Sequence, residues 1–343
     1  MNRRVVGHAA VAAAAQPSLS SVRIPAPPVV SREPRPRTHN NFLLRQTVIP
    51  ATRNKYLSKL DAFFEWAAAN NETASDHKGL DDVLVQYIHD LYEDERGHSV
   101  AAATLSAIKW CFPELKFALP RASQASRGWS KMCPPTSYPP LTWELAVTIA
   151  VQLSRGGRRR EAVGVLLSFD CMLRVGELVS LRREDVADSA DAAEHRMEHK
   201  GMVLRLRKTK TGNNKSVDVM DPSVVALVRE LVRDTEPGQL LFPVTTASYR
   251  RSFKRVCSSL GLSPLYVPHS CRHGGATRLY HVMRWPMEDI MTRGRWASTK
   301  SARLYIQSSV ALLLSMTIPP AVGALAVKFA KDPMKFISIA RAS

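Results

Sequence analysis

The sequence has few cysteines and no paired cysteine spacing. Its 343 residues include five, at Cys111, Cys133, Cys171, Cys257 and Cys271. Zinc modules and disulfide frameworks place cysteines at short, regular separations, so this scatter argues against both and indicates a reducing compartment. We therefore expect neither a disulfide bond nor a metal site.

Acidic residues are also scarce. The chain carries 48 Lys and Arg against 30 Asp and Glu, which gives a formal net charge of +18. Between residues 250 and 305, eleven Lys and Arg are accompanied only by the acids Glu288 and Asp289. This excess indicates a polyanionic partner, and nucleic acid is favoured over a membrane because the charge is spread through patterned segments. A merely soluble basic surface is the alternative.

Residues 1–41 lack the pattern of a folded segment. Six prolines fall between Pro17 and Pro36, and six arginines accompany the single acid Glu33. Such a stretch cannot bury a core, and it lacks the unbroken apolar run of a secretory signal. It predicts a disordered basic leader, with an organelle transit peptide or a DNA-contacting arm as alternatives.

Residues 42–132 show apolar side chains at helical spacing. The stripes cover 56–67, 80–91, 99–112 and, more weakly, 122–132. They predict a small all-helical domain, since amphipathic helices bury such stripes against one another. Lys55, Lys59 and Lys109 are candidates for contact with DNA, although solvated charge explains them equally well.

Four prolines between Cys133 and Pro140 predict a semi-rigid linker to a second domain, 141–309. This domain is mostly helical, with one convincing β signal. Residues 202–207 alternate apolar and basic side chains, turn residues follow, and 216–219 return, so a hairpin with a basic tip is expected.

The C-terminal tail, 310–343, is apolar. No charge occurs from Leu304 to Val327, a length that raises the question of a membrane span. Pro319 and Pro320 in the middle of the run argue against one. Two helices joined by a turn, docked into a hydrophobic groove of the same or a neighbouring subunit, are the favoured interpretation.

Two groups of polar residues carry chemistry. Arg174 and Glu177 are three apart, so on a helical turn the carboxylate can orient the guanidinium to bind a phosphate. His269 and Arg272 have the same spacing and can hold one anion together, and Tyr305 supplies a nucleophile. Taken singly, each of these is more often an ordinary surface residue.

Taken in order, these motifs resemble the tyrosine recombinases, also called the phage integrase family. The resemblance is carried by Arg174 with Glu177, the hairpin lysine Lys210, His269-x-x-Arg272, and Trp296 nine residues before Tyr305. Specific motifs occupy only about 165–305, and the match of the N-terminal domain is one of pattern.

The resemblance implies a mainly α protein. Residues 42–132 would be a helical core-binding (SAM-like) domain, and 141–309 a mixed, mostly helical catalytic domain with a small antiparallel β-sheet. The partner would be double-stranded DNA, cut and rejoined without metal or nucleotide cofactor, and the tail would dock on a neighbouring subunit of a homotetramer assembled on paired sites.

The resemblance also implies roles for individual residues. Tyr305 would attack the scissile phosphate and form a 3′-phosphotyrosyl link. Arg174 and Arg272 would stabilise the phosphorane, and His269 would assist proton transfer. Trp296 would donate to a phosphate oxygen, and Lys210 would protonate the leaving 5′ oxygen, with Lys208 and Lys215 as alternatives. Glu177 and His273 would support these groups.

One departure from the family pattern is the Gly294-Arg295-Trp296 sequence, where many members have Leu-Gly-His. Arg295, like Lys208, is therefore a candidate for contact with the DNA backbone.

The expected function is that of a site-specific recombinase or integrase, with a mobile element as its expected source. A domesticated DNA-binding protein without strand transfer and a type IB topoisomerase-like enzyme are the alternatives. The compartment would be the nucleus in a eukaryote or the cytoplasm and nucleoid in a bacterium or phage, with organelle targeting by the leader as a further option.

Overall fold

The structure is a computed structural model that describes residues 43, 46–134, 138–189, 201–209 and 212–338. The leader predicted over 1–41 lies outside these residues, and so does Lys210. The chain divides into two compact units, with the boundary between Pro135 and Thr136. This boundary falls within the proline-rich stretch 133–140.

Four α-helices form the described part of the first unit, because its four apolar stripes pack together. They are α1 (Pro50–Ala69), α2 (His77–Glu93), α3 (His98–Cys111) and α4 (Pro120–Met132). Phe63, Leu84, Ile108 and Leu119 are among the residues buried at their common core. The buried carboxylate of Asp81 accepts bonds of 2.9 Å from the backbone N–H groups of Arg121 and Ala122, which fixes the start of α4.

The second unit is built around two buried helices, α5 (Trp143–Arg155) and α6 (Arg159–Asp170). The side chain of Thr142 caps α5, since it accepts from the N–H of Leu145 at 3.3 Å. α6 ends at Asp170, and Met172, two residues later, takes a left-handed backbone with φ of 49° that cannot continue a helix. The short helix α7 (Val175–Val179) follows.

The predicted hairpin is present and gains a third strand. β1 (Val186–Asp188), β2 (Met202–Thr209) and β3 (Gly212–Val219) form an antiparallel sheet in that order. Alternate residues of β2, Met202, Leu204 and Leu206, are buried on one face, as the alternating pattern predicts. β1 was not predicted, because a strand of three residues carries no period that distinguishes it from a loop.

The remaining helices complete the second unit. They are α8 (Pro222–Arg233), α9 (Thr246–Ser259), α10 (His269–His281), α11 (Met287–Gly294) and α12 (Thr299–Arg303). α10 lies against α6, and a Cβ at residue 275 would overlap the carbonyl oxygen of Phe169. This close approach brings the polar start of α10 to the end of α6.

The C-terminal segment forms α13 (Ser308–Ser315), α14 (Pro320–Ala330) and α15 (Pro333–Ser338). α14 and α15 pack on α5 of the same unit, where Phe329 and Ile337 are buried. The hydroxyl of Ser154 donates to the carbonyl of Ile337 at 3.1 Å. On α13, in contrast, Leu312 and Leu313 are exposed. Much of the exposed apolar surface of the described tail therefore lies on α13 and on Met316 directly after it.

No single described helix is long and apolar enough to cross a membrane. The pair Ser309–Ser315 and Pro320–Ala330 meets the criteria of length and composition together, with a bend of 116° between its members.

The packing of α14 predicts a large stability cost for Phe329→Ala. Removing a buried phenyl ring should lower the free energy of unfolding by about 3 kcal/mol, through lost burial and the cavity left behind. Val327→Ala, on the exposed side of the same helix, is the matched control. Urea unfolding followed by tryptophan fluorescence measures both; equal effects of the two substitutions would show that α14 is not docked in solution.

Candidate active site

Glu177 holds two arginines together at the centre of the site. Its Oε1 accepts from Nη1 of Arg174 at 2.6 Å, and its Oε2 accepts from the backbone N–H of Arg174 at 2.9 Å. The same Oε2 accepts from Nη2 of Arg295 at 3.1 Å. Burial alone would raise the pKa of Glu177, but the charge of Arg295 and the bonds from Arg174 lower it below its ordinary value. Glu177 is thus an ionised carboxylate that presets Arg174.

Arg295 points inward. It follows α11 with a left-handed backbone, φ 57° and ψ 45°, a position usually taken by glycine. Its guanidinium is buried and donates to the carbonyls of Met172 at 2.8 Å, Arg293 at 2.9 Å and Cys171 at 3.3 Å, in addition to Glu177. The contact with DNA that the sequence predicts for Arg295 differs from this arrangement, in which the guanidinium joins the end of α11 to the turn after α6.

Arg272 is fully buried beneath the site. Its guanidinium donates to the carbonyls of Met172 and Gly294, so Met172 accepts from both Arg272 and Arg295. Its Nε has no hydrogen-bond partner among the described residues. Burial, followed by the charges of Arg174 and Arg295, lowers the pKa of Arg272. Arg174 and Arg295 share the one carboxylate of Glu177, and Arg272 lies near them without binding it, so the cluster has an excess of positive charge.

Tyr305 lies within a cluster of aromatic rings and imidazoles. Its ring centroid is 4.4 Å from that of His273, 4.7 Å from that of Trp296 and 5.5 Å from that of His269. The guanidinium carbon of Arg272 lies 5.3 Å from the Tyr305 centroid. The hydroxyl of Thr277 donates to the Tyr305 carbonyl at 3.1 Å, which ties the turn after α12 to α10. The predicted nucleophile and the buried arginine thus occupy one site.

Trp296 packs on Arg272, and its indole N–H is an unused hydrogen-bond donor among the described residues. Its ring lies 4.5 Å from the guanidinium carbon of Arg272, at cation–π distance. A Cβ at residue 294 would overlap this ring, so glycine at that position makes room for it. The indole Nε1 of Trp296 is buried and has no partner within the described residues. An indole N–H is a donor only, and this one is available to an oxygen of a bound group.

The two histidines of α10 are held neutral. Burial, with the positive charges of Arg272, Arg174 and Arg250, lowers the pKa of His269 to about 4. Burial, then the neighbouring His269 and Arg272, lowers the pKa of His273 to about 3. At pH 7 both imidazoles are therefore uncharged, and each can accept a proton. The ring centroids of His269 and His273 lie 5.2 Å apart.

The structure describes the three candidate lysines of the hairpin to different extents. Lys210 lies outside the described residues, and for Lys208 the structure gives only the backbone, which is paired with Asn213 in the sheet. Lys215 is exposed on β3. The role of general acid therefore stays a prediction.

The three lysines of the first unit that are candidates for contact with DNA differ in exposure and in hydrogen bonding. Lys55 is exposed on α1, and Lys59 is partly buried one turn later. Lys109 donates from Nζ to the hydroxyl of Ser123 at 2.8 Å, which ties it to α4. Lys55 and Lys59 share a face of α1, as their i,i+4 spacing requires.

Sequence reasoning missed three residues near the site. Tyr138 packs edge-on against His269, with centroids 5.9 Å apart, and Arg250 and Lys254 of α9 line a cavity next to Arg174. An exposed cation on an amphipathic helix carries no signal of its own, and Tyr138 belonged to the predicted linker.

Within the described ranges, no group of three or more His, Cys, Asp or Glu is placed to hold a metal ion, and all five cysteines are free.

Comparison with known proteins decides the family. Residues 149–311 match the sequence profile described as the phage integrase family. This domain belongs to the phage integrase family, the tyrosine recombinases. No curated protein matches the chain.

Two solved structures share the fold. One is the XerH site-specific recombinase bound to palindromic difH substrate, with 17% identity, a TM-score of 0.53, and coverage of 77% of this chain and 79% of that one. The other is a lambda integrase dimer bound to a COC′ core site, with 17% identity, a TM-score of 0.50, and coverage of 78% and 74%. The predicted fold class, mainly helical with a small antiparallel sheet, is confirmed.

Within the described residues, the motifs that resemble those of the tyrosine recombinases meet in one site. Arg174, Arg272, His269, Trp296 and Tyr305 come from α10 and from the ends of other elements, and Glu177 and His273 lie against them. Chemically, the arrangement can bind an anion between guanidiniums and place a phenol beside it.

The contacts of Arg295 predict that its side chain stabilises the site. Arg295→Ala should lower the free energy of unfolding by about 3 kcal/mol, because Glu177 loses a buried partner. Arg295→Gly should be less destabilising by about 1 kcal/mol, since glycine takes the left-handed backbone without strain. Urea unfolding measures both. A larger loss in the glycine variant would contradict the assigned backbone role.

The lowered histidine pKa values predict a loss of stability in acid. An unfolded imidazole titrates near 6.5, above both folded values, so between about pH 6.5 and 4 the unfolded chain binds more protons. The free energy of unfolding should fall as pH is lowered through this window and then level off as His269 and His273 protonate.

His269→Gln and His273→Gln should each flatten that decline, whereas His89→Gln, at an exposed position of α2, should leave the slope as it is. Urea unfolding at a series of pH values provides the test. An unchanged slope in both site variants would mean that these imidazoles are not buried against the arginines.

Proposed function

We propose that this tyrosine recombinase is an active site-specific DNA recombinase or integrase that acts through a 3′-phosphotyrosyl intermediate, and that it comes from a mobile element. The observation that supports this most is Tyr305, held among Arg272, Trp296 and two neutral imidazoles, in a cluster whose positive charge exceeds its negative charge. A protein that only binds DNA has no physical need for a phenol at that place.

The proposed reaction is a transesterification. The Tyr305 oxygen attacks the scissile phosphorus, the bond from phosphorus to the 5′ oxygen breaks, and a phosphotyrosine ester forms. His269, neutral at pH 7, accepts the phenolic proton, and a hairpin lysine, Lys210 by the family resemblance, returns a proton to the leaving oxygen. The released 5′ hydroxyl of a partner strand reverses these steps, so no bond energy is lost to water.

The transition state carries extra negative charge on the phosphate oxygens. Arg174, preset by Glu177, and Arg272, preset by two carbonyls, supply positive charge that needs no rearrangement. The free Nε1 of Trp296 donates to one of these oxygens. The electrostatic repulsion among the three guanidiniums is thus offset when a phosphate binds.

The helical first unit and the C-terminal tail would also take part in the proposed function. The helical unit 46–134 would act as the core-binding domain and present Lys55 and Lys59 to double-stranded DNA. The exposed Leu312, Leu313 and Met316 of α13 would contact a neighbouring protomer of the tetramer. The compartment stays a prediction, as the sequence gives only the alternatives stated above.

The function is tested by trapping the covalent intermediate. Nicked duplexes that carry the sequences flanking the gene should form an adduct with the protein on a denaturing gel. Tyr305→Phe should abolish the adduct, and Arg174→Gln should lower its rate by about 10²-fold or more, since a donor to the transition state is lost. Tyr280→Phe, in the exposed part of α10, should leave it unchanged.

Tight binding to a site without any adduct would favour the DNA-binding protein that lacks strand transfer. An adduct that persists in Tyr305→Phe would contradict the assigned nucleophile. Relaxation of plasmid DNA without a specific site would favour the topoisomerase-like alternative.

A further inference from the structure

A cationic cavity lies beside the active site. It encloses about 530 Å³ and is lined by side chains of α7, α9 and the start of α10: Tyr138, Arg174, Val175, Gly176, Arg250, Lys254, Val267, Pro268 and His269. Arg174, Arg250 and Lys254 are cationic, and no carboxylate is among the lining residues. Like charges that converge on one concave space repel one another unless an anion occupies it.

Two of these cations belong to α9 and have no part in the proposed chemistry. Arg250 and Lys254 are i,i+4 neighbours, so they project from one face of the helix toward the cavity. Both are exposed, and neither forms a salt bridge within the part of the chain that the structure describes. Arg158, Arg159 and Arg160 of the same unit are, by contrast, bound to acids or carbonyls.

The other wall of the cavity is part of the active site. Arg174 and His269 line it directly, and the charge of Arg250 is one of the causes, after burial and the charges of Arg272 and Arg174, that lower the pKa of His269. An anion bound between Arg250 and Lys254 would therefore lie next to the side chains of Arg174 and His269.

We propose that Arg250 and Lys254 form a second phosphate site, which binds the DNA backbone phosphate adjacent to the scissile one. The inference rests on the proposed function, since it takes the anion at Arg174 to be a phosphate of the same strand. Backbone contact is favoured over base readout because the two cations line a concave space shared with the phosphate-binding Arg174, where a continuous strand passes. Such contacts fix the register of the strand, so the scissile phosphorus is placed in line with Tyr305.

The salt dependence of DNA binding tests this site. Duplex DNA of arbitrary sequence would be titrated with Tyr305→Phe protein, which cannot cleave, at a series of salt concentrations. Each phosphate contact contributes about 0.9 to the steepness of the plot of log K against log salt, so loss of this one contact in Arg250→Gln/Lys254→Gln should make the plot less steep by about 1. The reduction should be the same for duplexes of different sequence.

Arg251→Gln/Arg255→Gln is the matched control. These residues are exposed on the same helix, have the same i,i+4 spacing and do not line the cavity, and their removal changes the net charge equally. The control should reduce the slope less than the cavity variant does. An equal reduction would overturn the proposal in favour of a general charge effect, and a loss of affinity that varies with DNA sequence would overturn it in favour of base contact.

Failure of the proposed function is distinguishable from failure of this inference. Binding is measured with a variant that cannot form the phosphotyrosyl bond, so a protein that never yields an adduct still gives a salt slope. An adduct in the active protein with no slope difference between cavity and control variants would refute the second phosphate site alone.

Discussion

The carboxylate of Glu177 is the group on which the arrangement of the site depends. It is buried, ionised and shared between Arg174 and Arg295, which come from opposite sides of the site. Arg295 in turn donates to the carbonyls that close α6, and one of these, Met172, also accepts from Arg272. Through these bonds a single acid sets the positions of three guanidiniums and of the helix ends that carry them.

Such a cluster destabilises the folded protein unless a bound ligand offsets its charge. Two residues adopt left-handed backbones, Met172 and Arg295, and three positive charges are gathered beside one negative charge. Strain and uncompensated charge of this kind are characteristic of functional sites, where the ligand supplies what the protein lacks. In the proposed reaction, a phosphodiester bound between Arg174 and Arg272 would balance the excess charge and would lie beside Tyr305.

The sequence allowed much of this to be predicted, because periodicity and motif order are local signals. The four helices of the first unit and the hairpin follow from apolar spacing. Arg174, His269, Arg272, Trp296 and Tyr305 were expected in one site from their resemblance to a family. The structure brings these five together. The three-residue strand β1 lacked a period, and the left-handed backbone of Met172 after α6 has no signal in the sequence.

Arg295 shows what the order of residues along the chain does not reveal. An arginine beside an active-site tryptophan in a basic protein suggests contact with DNA, and only the left-handed backbone turns its guanidinium inward. Arg250 and Lys254 show the converse, since they cannot be told from Arg251 and Arg255 until the helix is placed against Arg174. In both cases the deciding information is the direction in which the side chain points. Residue spacing does not give that direction for exposed positions or for irregular backbone.

The most direct measurement is the pKa of His269, read from the imidazole resonances by NMR in Tyr305→Phe protein with and without duplex DNA. The account predicts a pKa of about 4 in the free protein, because burial and the arginine charges oppose protonation. It predicts a higher pKa with DNA, because the bound phosphate offsets those charges. A free-protein pKa near the ordinary 6.5, or a value that DNA leaves unchanged, would contradict the claim that this cluster is an incomplete phosphate site.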